Sequence, residues 1–158
     1  MKLLVDIQKA TTEAVPSEQD IQRWVSAALV GRDKDTEISV RLVGQNEMAK
    51  LNQDYRGKPG ATNVLSFPAD LPADLALPLL GDIVVCAPLV SAEAAAQNKP
   101  DLAHWAHLII HGTLHLLGYD HIEKSEAVTM ETRETEVLAA LDYPCPYLDN
   151  TPMEHLVQ

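Results

Sequence analysis

Residues 102–121 read LAHWAHLIIHGTLHLLGYDH, five histidines in twenty positions of an otherwise mostly apolar run that ends at a glycine. The apolar content and the stop at Gly118 predict a long helix. Residues four apart stack on one helical face, so His111 and His115 project side by side. Gly118 then breaks the helix and lets the chain double back, which can bring His121 to the same point. Three neutral imidazoles converging on one tight loop form half a coordination shell for a borderline metal, and a single zinc ion is the expectation. His104 lies almost two turns from His111 and is out of reach. His107, one turn away, either lines the cleft or packs.

The spacing of His111, His115, Gly118 and His121 copies the metzincin pattern HExxHxxGxxH at every position but one. Gly112 stands where that pattern has the glutamate that takes a proton from metal-bound water. Peptide hydrolysis by that route therefore lacks its proton acceptor, although the ligand set is intact. A lone HxxxH pair is weak evidence for a metal; a third histidine beyond a helix-ending glycine makes the pattern specific. Three protein ligands leave a fourth position open, as in catalytic zinc sites, where the pKa of bound water falls to about 7. A hydrolase is the leading class. Asp120 either accepts the free N–H of a ligand histidine or serves as a turn residue.

The rest of the chain supplies a scaffold. Leu3, Val5 and Ile7 alternate as a first strand, and Ser17 caps an amphipathic helix whose apolar positions are Ile21, Trp24, Val25, Ala28 and Leu29. TEISVRLV, TNVLSF and GDIVVCA read as strands, and NEMAKLNQDY as a helix stopped by Gly57. PADLPADLALPLL, with its three prolines, reads as an irregular loop. Ala92–Gln97 favours helix until Pro100 interrupts it, and Ile122–Leu141 is the last helix, with Val128, Val137, Leu138 and Leu141 among its apolar positions. Strands and helices alternate early and helices cluster late. The expected fold is α+β, a single domain over residues 1–142 with a mixed sheet of about four strands packed with helices, and a proline-broken, mobile tail over residues 143–158.

Composition limits the function. The 158 residues carry 12 basic against 23 acidic side chains, a formal charge of −11, which argues against nonspecific polyanion binding through the overall field. Any nucleic-acid role needs a local basic patch. The two cysteines form neither a CxxC pair nor a framework, MKLLVDIQ is too short and too soon charged for a signal peptide, and no apolar run approaches a membrane span. The expectation is a cytoplasmic protein with no membrane association.

HGTLHLLGYDH resembles the YbeY family of bacterial endoribonucleases and ribosomal RNA maturation factors, whose signature is HGxLHLxGYDH. LNQDYRGKPGATNVLSFP is similar to that family's arginine-bearing segment and LGDIVV to its central strand; with METRETEVL the likeness runs from Ile38 to Leu141. The resemblance implies a metal-dependent hydrolase of single-stranded RNA, acting on the 3′ end of small-subunit ribosomal RNA and in ribosome quality control. It implies His111, His115 and His121 as ligands and Arg56 as the residue needed for activity. A guanidinium fork suits the charge that builds on phosphoryl oxygens, in keeping with that role. Lys58 and Arg41 are candidates to draw in the RNA backbone, and the attacking group is either water or the RNA's own 2′-hydroxyl. Ribosomal RNA, the small subunit and its basic proteins are the expected partners. Two other readings stand beside this one: a ribosome-assembly binding factor in which the metal knits helix to loop, and a peptide hydrolase, weakened by Gly112.

Overall fold

The computed structural model describes residues 2–69, 71, 72 and 77–147. Four strands, β1 (Leu3–Ala10), β2 (Thr36–Val43), β3 (Val64–Pro68) and β4 (Leu79–Cys86), form one sheet in the order β1-β2-β4-β3. β1, β2 and β4 are parallel; β3 runs antiparallel to β4 along the edge, Val64 opposite Val85 and Pro68 opposite Gly81. The helices are α1 (Glu18–Ala28), α2 (Gln45–Arg56), α3 (Ala87–Ala96), α4 (Asp101–Leu116) and α5 (Lys124–Ala140). The expected α+β fold with a four-stranded mixed sheet is what the chain forms.

Strand alternation decides which face each helix covers. Ile38, Val40 and Leu42 of β2 and Ile83 and Val85 of β4 point into the main core, which they share with Ile21, Trp24 and Val25 of α1 and Ile109, Ile110 and Leu114 of α4. Val84 and Cys86 turn the other way and pack with Met48 of α2 and Leu65 of β3. β4 is thus covered on both faces near its end, which explains its uninterrupted apolar run. Ser17 caps α1 as expected, its hydroxyl accepting from the Asp20 N–H at 3.1 Å.

Glycine sets the closest approaches between layers. Gly81 lies at φ 154°, and a Cβ there would come within 2.5 Å of the Phe67 carbonyl oxygen and 2.8 Å of Leu116 Cδ2. Gly112 faces the sheet, where a Cβ would sit 3.0 Å from Ile83 Cγ2 and 3.1 Å from Ser66 Oγ. The Ser66 hydroxyl donates to the Gly112 carbonyl at 3.1 Å, fastening α4 to the edge strand. Small residues at these two points let the histidine-bearing helix lie directly on β3 and β4.

Three expectations need correction. α3 begins at Ala87 rather than Ala92, because Pro88 in its first turn is pre-set for helix and loses no bond there. Val128 is 56% exposed; the buried stripe of α5 is Met130, Glu134, Val137 and Leu138, which places a carboxylate where an apolar residue was expected. The first residues of the tail do not hang free. Lys99 donates to the Pro146 carbonyl at 3.1 Å, and the Tyr147 hydroxyl donates to Glu134 at 2.6 Å. The tail beyond Tyr147 and part of the PAD loop, residues 70 and 73–76, lie outside the described residues. Among the described residues, no helix is long and apolar enough to cross a membrane.

Candidate metal centre

α4 presents His111 and His115 one turn apart, with ring centroids 4.7 Å from each other. Gly118, at φ 105°, reverses the chain, and the Tyr119 N–H bonds back to the Leu114 carbonyl at 3.1 Å. Asp120 then turns the backbone by accepting from the His121 N–H at 2.7 Å. The His121 ring arrives 5.7 Å from that of His111 and 5.1 Å from that of His115. One nitrogen from each of the three lies within 4.8 Å of the others, so the trio could hold an ion.

Two observations test that fit. The Nε2 atoms of His111 and His121 are buried and have no hydrogen-bond partner among the described residues, a costly arrangement unless something else occupies their lone pairs. Burial, followed by the nearby charges of His111 and His121, lowers the His115 pKa to about 4, so this imidazole is neutral at physiological pH. Converging imidazoles with free ring nitrogens are the kind of donor set that zinc requires. A second group, His107, His111 and Glu134, also has its atoms within 4.8 Å. Its members are already consumed by one another: His107 Nε2 lies 2.7 Å from Glu134 Oε1, and His111 Nδ1 lies 2.9 Å from Glu134 Oε2. That group is a hydrogen-bonded cluster, which leaves the trio as the candidate ion site.

An open cleft of about 380 Å³ lies over the trio, lined among others by Arg56, Ser66, Tyr119 and Asp120. Arg56 is the last residue of α2 rather than part of a loose loop. Gly57, at φ 67°, caps the helix, and the Asn52 side chain pins the following turn by donating to the Gly60 carbonyl at 2.9 Å. Arg56 is thus carried on a capped helix end and lines the same cleft as the histidines.

The other candidates separate. Asp120 lines the cleft, and its described hydrogen bond is the local turn to His121; the acceptor facing the His111 ring Nδ1 is Glu134 instead. His107 packs behind the site against Glu134 and Tyr147. Lys58 is exposed and is not among the residues lining the cleft. Arg41 is held by Glu47 at 2.6 and 3.2 Å and by Gln8 at 3.0 Å, because it alternates to the sheet face opposite α4. His104 is likewise engaged elsewhere, 2.9 Å from Glu93.

Glu134 was not singled out from the sequence, although a signal was there. Its stripe runs Met130, Glu134, Val137 and Leu138, so a charged residue sits at a core position of an amphipathic helix. Burial opposes ionisation of this carboxyl, but the hydrogen bonds from His107 and His111 hold its pKa below the usual carboxylate range.

The chain's likeness to known proteins covers nearly its whole length. The family described as Endoribonuclease YbeY matches residues 5–142. Proteins of that name from Pseudomonas putida and Stutzerimonas stutzeri are 55% and 54% identical over 149 residues, spanning 94% of this chain and 95% and 93% of theirs. A Nitrosococcus oceani relative of the same name is 51% identical over 150 residues. The solution structure of a Thermotoga maritima protein superposes with a TM-score of 0.59 at 26% identity, covering 88% of this chain and 92% of that one.

Proposed function

Because this chain belongs to the endoribonuclease YbeY family, we propose that its cleft performs metal-dependent hydrolysis of single-stranded RNA. The observation that carries this reading is the convergence of Arg56 with three histidines, two of which have buried, unpartnered Nε2 atoms, in one open cleft. His111, His115 and His121 would hold one zinc ion. When bound, the ion would supply Lewis acidity and an activated oxygen at neutral pH.

The chain's own residues supply the rest. Arg56 grips the scissile phosphate and meets the charge that develops on its oxygens, a role suited to a planar fork on a fixed helix end. The cleft floor, formed by Val64, Leu65 and Ser66 of the edge strand, confines the substrate beside α4. Either water or the RNA 2′-hydroxyl attacks phosphorus; a 2′,3′-cyclic phosphate among the products marks the second route.

The biological setting follows from the resemblance and the charge. At −11 the molecule repels free polyanions at a distance but complements basic ribosomal proteins. We place it in the cytoplasm, at the small subunit, maturing the 3′ end of its ribosomal RNA and taking part in ribosome quality control. Residues 1–142 form the hydrolase unit and residues 143–158 its tail. The same acidity favours a second reading, an assembly factor that binds without cutting. Peptide hydrolysis is opposed by Gly112, which faces Ile83 and Ser66 rather than open space.

End-labelled RNA, offered to the metal-loaded protein as a single strand and as the same sequence in duplex, tests the proposal. Internal cleavage of the single strand alone is expected, as is trimming of a 3′-extended small-subunit precursor. Retention of both RNAs without new ends would favour the assembly-factor reading.

A further inference from the structure

Glu134 is 1% exposed, and each of its oxygens faces a histidine: Oε1 lies 2.7 Å from His107 Nε2 and Oε2 lies 2.9 Å from His111 Nδ1. Neither Lys nor Arg pairs with it among the described contacts. A carboxylate so enclosed is costly unless its hydrogen bonds are worth keeping, and an apolar residue would complete the Met130, Val137, Leu138 stripe without that cost. The hydrogen bond to His111 has a directional consequence. It places the ring proton on Nδ1, so the lone pair is left on Nε2, the atom that is buried and unpartnered within the histidine trio.

The carboxylate has a third partner from outside the helices. The Tyr147 hydroxyl donates to Oε1 at 2.6 Å, and its ring stands edge-on to His107 with centroids 5.6 Å apart. The segment that delivers it, YPCPY, is stiffened by two prolines and held by Lys99 on the Pro146 carbonyl at 3.1 Å and by the Cys145 sulfur 3.6 Å from the Thr135 hydroxyl.

We propose that Glu134 is the positioning residue of the metal site, holding His111 for coordination through Nε2, and that Tyr147 latches it, so that docking of residues 143–147 and ion affinity are coupled. The proposal rests on the reading that the trio binds an ion. Coupling of this kind is reciprocal: if the docked segment favours the ion, the ion must favour the docked segment.

Zinc and cobalt(II) affinities of wild type, Glu134→Gln, Tyr147→Phe and His115→Ala, measured by competition with a chromophoric chelator, test it. Glu134→Gln should weaken binding about 10–100-fold and alter the cobalt ligand-field spectrum, since an amide cannot accept from both histidines. Tyr147→Phe should weaken it about 2- to 10-fold, the worth of one hydrogen bond. Zinc should also slow chymotryptic cleavage after residue 147 in wild type but less so in Tyr147→Phe. Should Glu134→Gln fail to fold, as read by circular dichroism, Tyr147→Phe decides alone. If wild type binds an ion and His115→Ala does not, but folded Glu134→Gln and Tyr147→Phe bind as wild type does, the latch is overturned and the metal reading stands. If His115→Ala binds as tightly as wild type, both fall.

Discussion

The three histidines bring one nitrogen each within 4.8 Å of the others, and two imidazoles cannot hold a divalent ion as firmly as three. His115→Ala should therefore lose stoichiometric metal, read by elemental analysis after dialysis; unchanged content would refute the trio. Gly112→Glu, which spells out the protease pattern HExxH, should yield an unstable protein without casein turnover, because its Cβ would meet Ile83 Cγ2 at 3.0 Å and Ser66 Oγ at 3.1 Å. A well-folded variant that cleaves casein would show a roomier, more protease-like cleft. At this scale the convergence of the three histidines was legible because helical periodicity and one glycine fix where three side chains meet. The partner of His111 was not. Asp120 is adjacent to His121 in the chain, whereas Glu134 reaches the site only through the packing of α5 on α4, which no local pattern encodes.

The elements were legible wherever alternation or a cap was strong, as in β2 and at Ser17. Their boundaries and faces depended on contacts far apart in sequence. Arg41 lies in a clear strand, yet whether its guanidinium meets RNA or Glu47 is settled by which sheet face α4 covers. β4 is where the layers press closest, at Gly81. Gly81→Ala should lower the melting temperature sharply, since the added Cβ would lie 2.5 Å from the Phe67 carbonyl oxygen and relief would require moving backbone. The expected loss is about 2–4 kcal/mol by chemical denaturation, in the range of core overpacking combined with a disfavoured φ. A loss under about 0.5 kcal/mol would mean the strand adapts freely.

At the scale of the whole molecule, acid should undo what the buried histidine cluster stabilises. Burial lowers the pKa of His107, and burial with neighbouring histidines takes His115 to about 4. Their unfolded counterparts titrate near about 6.5, so below that pH the unfolded chain takes up protons that the folded chain refuses. Stability conferred by these groups is full above about 6.5 and falls as pH drops toward 4. Glu134 adds to the same trend at lower pH: its depressed pKa contributes stability above the ordinary carboxylate range, lost as pH falls through and below that range. The metal-free protein should therefore melt progressively earlier between about pH 7.5 and pH 4.5, and a flat profile would contradict this account of the cluster. Charge was fully legible in the sequence, but the placement of Arg56 at the histidine cleft was not, because it depends on how α2 packs rather than on the sum of −11.

The proposed function has one ion on three histidines and one arginine on a helix end cut RNA together. It is tested most directly by single-turnover cleavage of saturating single-stranded RNA, with metal content determined in the same samples for wild type, Arg56→Ala and Arg56→Lys. About one ion per chain is expected in all three. Cleavage should be slowed about 10²–10³-fold in Arg56→Ala, only partly restored by Lys, and abolished in wild type by a chelator until zinc is returned. Equal rates for wild type and Arg56→Ala, or undiminished cleavage after the ion is removed, would contradict it.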